Sequence, residues 1–294
     1  GDLLPVLEVR LHRRRIESLR RRPVTGRTGG GGPKKEGESA PESGRARTDS
    51  RARKGTDEPP QKRTGGGLRK PTDGRAPSRE IEIEALRSLP AGALIAGVDE
   101  VGRGSLAGPV SVGITLIDAS TGDFPEGLRD SKAMSPSARE RMVPLVREWA
   151  VDVAVGHAGP DVIDDVGIVA ALRHAAKEAL NGLSAMPSAV LLDGKHNWWA
   201  EDSLFDVDPL LPQIPVRMEV KGDARCAVIA AASVAAKVER DGLMVVLDRR
   251  FPGYDWARNK GYASPSHIEG LARLGPSDHH RKSWHLPGVR EGHR

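Results

Sequence analysis

The chain has 294 residues, 38% of them hydrophobic, a net charge of +5 and a single cysteine, Cys226. That length fits one large domain or two small ones, the lone cysteine excludes an intrachain disulfide, and no apolar run approaches the roughly 20 residues of a membrane-spanning helix. The charge is unevenly placed: residues 1–80 hold 21 Lys and Arg against 11 Asp and Glu and no Phe, Trp or Tyr, which leaves 24 against 29 in a mildly acidic remainder.

Residues 5–22 have the pattern of a short basic helix carrying Arg13-Arg14-Arg15 and Arg20-Arg21-Arg22. Residues 23–79 are mostly Gly, Pro, Ser, Thr and charge, broken by glycine runs at 29–32 and 65–67. Such a composition buries too little apolar surface to offset its ordering entropy, so residues 1–80 read as a disordered basic arm. The arm is either inert or adds non-specific nucleic-acid affinity through counterion release. The stretch from Leu3 to Leu7 is too short for a signal-peptide core, and one cysteine agrees with a reducing compartment; a cytoplasmic protein is expected.

The globular domain, residues 81–294, is expected to open with a lead-in at Ile81, Ile83, Ala85 and Leu86. Strands are predicted at 94–98 and 110–117, then a turn-rich loop at 118–129, a helix capped by Ser135 and running to Trp149, and a strand at 151–156. Helices follow at 161–166 and 168–183, strands at 189–192 and 216–220, an alanine-rich helix over 225–249 and a last helix over 265–274. The class is α/β.

Three of these strands end in acid: Asp99-Glu100, Asp193 and Asp223, each with a glycine within two positions. In an α/β domain sites assemble at strand ends. Carboxylates gathered there repel one another unless cations neutralise them, and hard oxygen donors suit magnesium or manganese. Four acids suit two-metal phosphodiester chemistry. Side chains alternate along a strand, so Asp99 and Glu100 cannot both face one ion in regular β structure; the strand is expected to end or bend there. Taken singly, Asp193-Gly194 is ordinary turn chemistry and Asp223 an ordinary helix cap. Their joint occurrence carries the metal reading.

The stretch Gly97 to Val110, GVDEVGRGSLAGPV, closely resembles the signature of ribonuclease HII, the bacterial type 2 ribonuclease H. Matches continue in the family's order with Asp130-Ser131-Lys132, Leu192-Asp193-Gly194, Lys221-Gly222-Asp223, Ala231-Ala232-Ser233, Ala236-Lys237-Val238, Arg240-Asp241, Lys260-Gly261-Tyr262, and His280-Arg281 with Ser283, over about residues 90–288. The resemblance implies an RNase H-like mixed sheet flanked by helices. It also implies endonucleolytic cleavage of RNA in RNA–DNA hybrids and at single ribonucleotides in duplex DNA. The products would carry 5′-phosphate and 3′-hydroxyl ends, and the cofactor would be Mn²⁺ or Mg²⁺. By motif, Asp99, Glu100, Asp193 and Asp223 would be the metal-binding catalytic carboxylates. Gly102, Arg103 and Gly104 would contact the ribonucleotide, and Tyr262 would help sense its 2′-hydroxyl, the group that distinguishes RNA from DNA. The expected partner is hybrid or ribonucleotide-containing duplex, with no membrane, and the protein is expected to act as a monomer in repair and replication.

Other residues have plainer readings. Lys132 reads as a phosphate contact, and Lys221, Arg281 and Lys282 as phosphate contacts or solvated charges. Lys237 and Asp241 form a simple i,i+4 pair, His279 and His280 are expected at the surface, Cys226 as a small buried group, and Trp198-Trp199 in packing or a mobile loop. Departures from the family pattern are Ser105, Arg129 and Gly167, none of which removes a carboxylate. Ribonuclease HIII, a hybrid-binding protein without catalysis, and a glycine-rich nucleotide-binding enzyme are the alternatives. The polar arm, the retained acids and the lone GxG argue against them in turn.

Overall fold

The computed structural model describes residues 76–200 and 210–289, all within one compact unit, Gly67–Arg294. The expected helix at 5–22 and nearly all of the basic arm lie outside the described residues. Ordered contacts begin ahead of the expected start at Ile81: helix α1 spans Glu80–Arg87, and the Ser78 backbone bridges to Arg225 and Ala227.

Strands β1 (Ile95–Val101), β2 (Val110–Ile117), β3 (Asp152–Ala158), β4 (Ala189–Asp193) and β5 (Val216–Glu219) form one sheet in the order β3-β2-β1-β4-β5. β1 pairs antiparallel with β2 and parallel with β4, so the sheet is mixed and β1 lies at its centre. β2 and β3 are antiparallel, β4 and β5 parallel. The helices are α2 (Pro136–Trp149), α3 (Pro160–Asn181), the one-turn α4 (Gly222–Arg225), α5 (Ala227–Arg250), α6 (Trp256–Asn259) and α7 (Pro265–Leu274). Ser135 caps α2 by accepting from Ala138 N–H, as its position before Pro136 predicts. The two predicted helices at 161–183 are one element broken at Gly167, whose backbone is non-helical (φ 78°, ψ 165°).

The period-2 alternation of strand side chains sorts the core into two layers. Ala96, Val98, Val110, Val112, Ile114 and Leu116 pack with the alanines of α3. On the other face, Ile95, Ile117 and Leu191 pack with α5. Helix α5 sits close because glycines lie beneath it: a Cβ at Gly97 would come within 2.4 Å of the Val228 carbonyl carbon, and one at Gly113 within 2.3 Å of Ala232 O. The alanines of α5 allow the same approach from the helix side.

Helix α5 has no side-chain cap of its own. Its start is completed from α1, where the fully buried Glu82 accepts from Val228 N–H at 2.9 Å. A carboxylate at a helix N-terminus is favoured by the exposed N–H groups there. Glu82→Ala is expected to destabilise the protein by about 1–3 kcal/mol, read as a lower urea midpoint at unchanged slope.

Candidate active site

Residue parity decides which acids meet. Asp99 lies on the α5 face of β1 with Ile95 and Gly97, and Asp193 on the same face of the parallel neighbour β4 with Leu191. Asp223 comes from α4, immediately before α5. One carboxylate oxygen from each lies within 4.8 Å of the others. The strand neither ends nor bends at Asp99-Glu100; it runs on to Val101. Glu100 therefore points to the opposite face. There its oxygens meet Arg103 Nη1 at 3.3 Å and the indole N–H of Trp198 at 3.2 Å.

The three grouped acids strain one another electrostatically. Burial, then the charge of Asp193, holds the Asp99 carboxyl well above the ordinary carboxylate range. Burial and Asp223 raise Asp193, against a hydrogen bond it accepts from Gly222 N–H at 2.7 Å. A cluster of hard oxygen donors whose mutual repulsion a cation would relieve fits a divalent metal such as Mg²⁺ or Mn²⁺. Lys132 already answers part of that charge, donating to Asp223 at 3.0 Å. Burial lowers the Lys132 pKa, but the Asp223 hydrogen bond and charge outweigh it and raise it overall.

Beyond β1 the chain turns through Gly102, which has φ +83°; a Cβ there would lie 2.0 Å from Arg240 Nε. The Gly102 N–H donates to the Tyr262 hydroxyl at 3.2 Å, so the structure joins two expected ribose contacts 160 residues apart. Gly104 faces open space.

Two expectations about the C-terminal segment are corrected. Arg281 is not a solvated charge: it is fully buried and donates to Gly102 O, Arg103 O, Ser105 Oγ and Gly108 O. His280 is not at the surface either; it is 1% exposed, edge-on to Tyr254 and tilted against Trp256 and His267. His279 packs edge-on against Phe251. The Tyr262 carbonyl can only accept, so His267 Nδ1, 2.9 Å away, carries a proton. The single lone pair of His267 Nε2 is then shared between Trp256 Nε1 at 3.1 Å and His280 Nε2 at 3.0 Å, and His280 Nδ1 accepts from Ser277 N–H. Every ring nitrogen is satisfied only with both imidazoles neutral.

Burial and the neighbouring His267 push His280 down from 6.5 to about 3. The unfolded chain thus binds the extra proton first, and this network loses stability as pH falls from about 6.5 towards 3. The drop in melting temperature between pH 7.5 and 5 is expected to be smaller in His280→Gln than in the wild type.

The Lys237–Asp241 pair is present at 2.6 Å, Cys226 is fully buried, and both tryptophans pack in the core. Residues whose roles sequence reasoning missed are Trp198, Ser105, Asp130 and Ser233. Asp130 is 8% exposed, caps the 3₁₀ turn Ser131–Ala133, and is raised chiefly by burial. Ser233 bonds Ser131 Oγ at 2.8 Å and holds the Asp99 carboxyl lower than burial alone would leave it. The Asp130-Ser131-Lys132 motif was the available signal for this corner of the site; the long-range partners of Trp198 and Ser105 leave no local one.

A mixed sheet with acids converging from β1, β4 and α4, backed by helices on both faces, has the ribonuclease H-like architecture. Solved structures with this fold include ribonuclease H2 from Pyrococcus horikoshii OT3, with TM-score 0.51 and 27% identity over 66% of this chain and 94% of that one. The RNase HII of the PCNA:RNase HII complex from Archaeoglobus fulgidus matches with TM-score 0.51 and 25% identity over 67% and 98%. Among curated relatives, ribonuclease HII of Streptomyces griseus is 43% identical over 215 residues, 71% of this chain and 84% of the relative. That of Thermus thermophilus is 42% identical over 191 residues, 65% and 86%. The family model for ribonuclease HII matches residues 96–286, and the chain belongs to that family, whose members cleave the RNA of RNA–DNA hybrids. Among the described residues no helix is long and apolar enough to cross a membrane.

Proposed function

We propose that this protein incises the RNA strand of hybrids and the 5′ side of single ribonucleotides embedded in duplex DNA, leaving 5′-phosphate and 3′-hydroxyl ends. The observation that carries the reading is the convergence of Asp99, Asp193 and Asp223 within 4.8 Å, one turn of chain from the Gly102–Tyr262 contact. Those three acids would hold Mn²⁺ or Mg²⁺, and Glu100, which faces Arg103 and Trp198 across β1, would complete the set as a fourth acid only by turning towards them. Bound there, two such ions would supply an activated water and stabilise the leaving oxygen. Glu100 is close enough for its charge to act on both Asp99 and Asp193. The chain's own part is to fix the scissile phosphate. Gly102, Arg103 and Gly104 present backbone to the ribose, the Tyr262 hydroxyl stands beside its 2′-OH, and Lys132 contacts a phosphate. Water attacks phosphorus, the P–O3′ bond breaks, and the 3′-oxygen leaves as the hydroxyl.

The role proposed is ribonucleotide excision and primer removal by a protein acting as a monomer in the cytoplasm. A duplex with one ribonucleotide, incubated with Mn²⁺ or Mg²⁺, tests it: incision at that position supports the reading, and an intact substrate with both metals defeats it. Residues 1–75 are proposed as a dispensable basic arm. Their deletion is expected to leave cleavage within about twofold and to flatten the salt dependence of binding to all-DNA duplex, measured by fluorescence anisotropy.

A further inference from the structure

Arg240 and Arg281 are both fully buried beneath the turn that follows β1, and among the described residues neither forms an ion pair. Burying a charge without a counter-ion costs several kcal/mol unless hydrogen bonds replace its hydration. Here the replacements are almost all backbone carbonyls. Arg240 donates to Pro109 O, Lys260 O and Ala107 O, and Arg281 to Gly102 O, Arg103 O and Gly108 O. The acids whose charge reaches them are engaged elsewhere: Asp241 with Lys237, and Asp164 with the Lys282 N–H and Ser283.

The two guanidiniums share one side-chain acceptor, the fully buried Ser105 hydroxyl, at 2.8 Å from Arg240 and 3.0 Å from Arg281. A serine hydroxyl has two lone pairs and one proton. Both lone pairs are taken, and the proton goes to Gly102 O at 2.9 Å or Ala107 O at 3.1 Å. Arg240 also lies over the Tyr262 ring, 5.6 Å from its centroid, while its Nη1 holds Lys260 O. The serine thus ties the Gly102–Gly108 turn to the segment that carries Tyr262. Burial, then Arg240, lowers Arg281 from its ordinary value to about 9, so this packing of like charges is held against a real cost.

We propose that Ser105, Arg240 and Arg281 are positioning residues for ribonucleotide selection: the shared hydroxyl presets the Gly102 turn against Tyr262 before substrate arrives. The inference rests on the proposed reading of that turn as the ribose reader. None of the three touches substrate; each acts through the backbone of the turn. With the reader unlocked, the ordering entropy of the turn falls on binding of the ribonucleotide, whereas contacts to ordinary DNA backbone are unaffected.

The test measures kcat and KM on a duplex with one ribonucleotide, and the inhibition constant of the same duplex in all-DNA form, for the full chain with Mn²⁺. For Ser105→Ala the expected result is a KM raised about tenfold, a much smaller change in kcat, and an all-DNA inhibition constant that does not follow KM. Arg281→Lys, which keeps the charge and loses the planar fork, is expected to move KM in the same direction and further. A KM that stays put, or moves in step with the all-DNA constant while the melting temperature falls, would overturn the proposal and leave a purely structural role. A wild-type protein that does not cut the ribonucleotide duplex would overturn the proposed function itself, an outcome distinct from either.

Discussion

Replacing Asp99 with asparagine is expected to abolish cleavage while raising the melting temperature of the metal-free protein. The expected loss of activity, roughly 10³-fold or more, exceeds what removal of one preorganised electrostatic group usually costs, because on the proposed reading Asp99 is one of the carboxylates that hold the metal. The gain in stability has the same origin. Burial and Asp193 raise the Asp99 pKa well above 3.8, so ionising it in the fold is unfavourable. In the interval between the unfolded and folded values the native state binds more protons, and stability falls as pH rises. The advantage of the asparagine variant is therefore fully present above the raised folded value, shrinks as pH falls from there towards 3.8, and is gone below it. The amide keeps an oxygen for the Glu100 N–H, which Asp99 Oδ1 accepts at 2.8 Å. Melting curves with and without Mn²⁺ check both halves: the metal stabilises the wild type and has much less effect on the variant.

Tyr262→Phe is expected to lower kcat/KM on a duplex with one ribonucleotide by about 10–100-fold, close to 1.4–2.7 kcal/mol of transition-state stabilisation. The substitution removes the hydroxyl that accepts from Gly102 N–H and leaves that N–H without its partner. It keeps the ring under Arg240 and the carbonyl that His267 holds, so the fold is expected to persist. Comparing the variant on long hybrid and on single-ribonucleotide duplex checks the assignment. The loss is expected to be larger on the substrate where only one 2′-hydroxyl can be read.

Local pattern was enough for much of the architecture. The strand at 110–117 and the helix at 265–274 have the expected bounds, and Ser135 caps as its place before Pro136 predicts. The acids at the ends of three apolar runs were legible because strand ends collect sites whatever the topology. What local pattern could not show was the course of the chain through Asp99-Glu100. Continued β structure separates two adjacent acids onto opposite faces, and only the register with β4 reveals which neighbour each acquires. His280 and Arg281 read as a surface basic cluster because polarity normally implies exposure. Their burial depends on acceptors more than 100 residues away for Arg281, and on an imidazole 13 residues away for His280. Glu82 is similar, its partner lying at the start of a helix 146 residues on. The partners that Arg281, His280 and Glu82 do find are brought to them by tertiary structure, which spacing along the chain does not encode.

The carboxylates of β1, β4 and α4 are expected to direct water to the phosphate on the 5′ side of a ribonucleotide selected by the adjoining turn. Mapping both ends of the cut on an end-labelled DNA duplex with a single ribonucleotide tests this most directly. The expected products are a 3′-hydroxyl on the upstream fragment and a 5′-phosphate on the fragment that begins with the ribonucleotide. A cut on the 3′ side leaving a 2′,3′-cyclic phosphate would show the ribose hydroxyl, not water, to be the nucleophile, and would contradict the account.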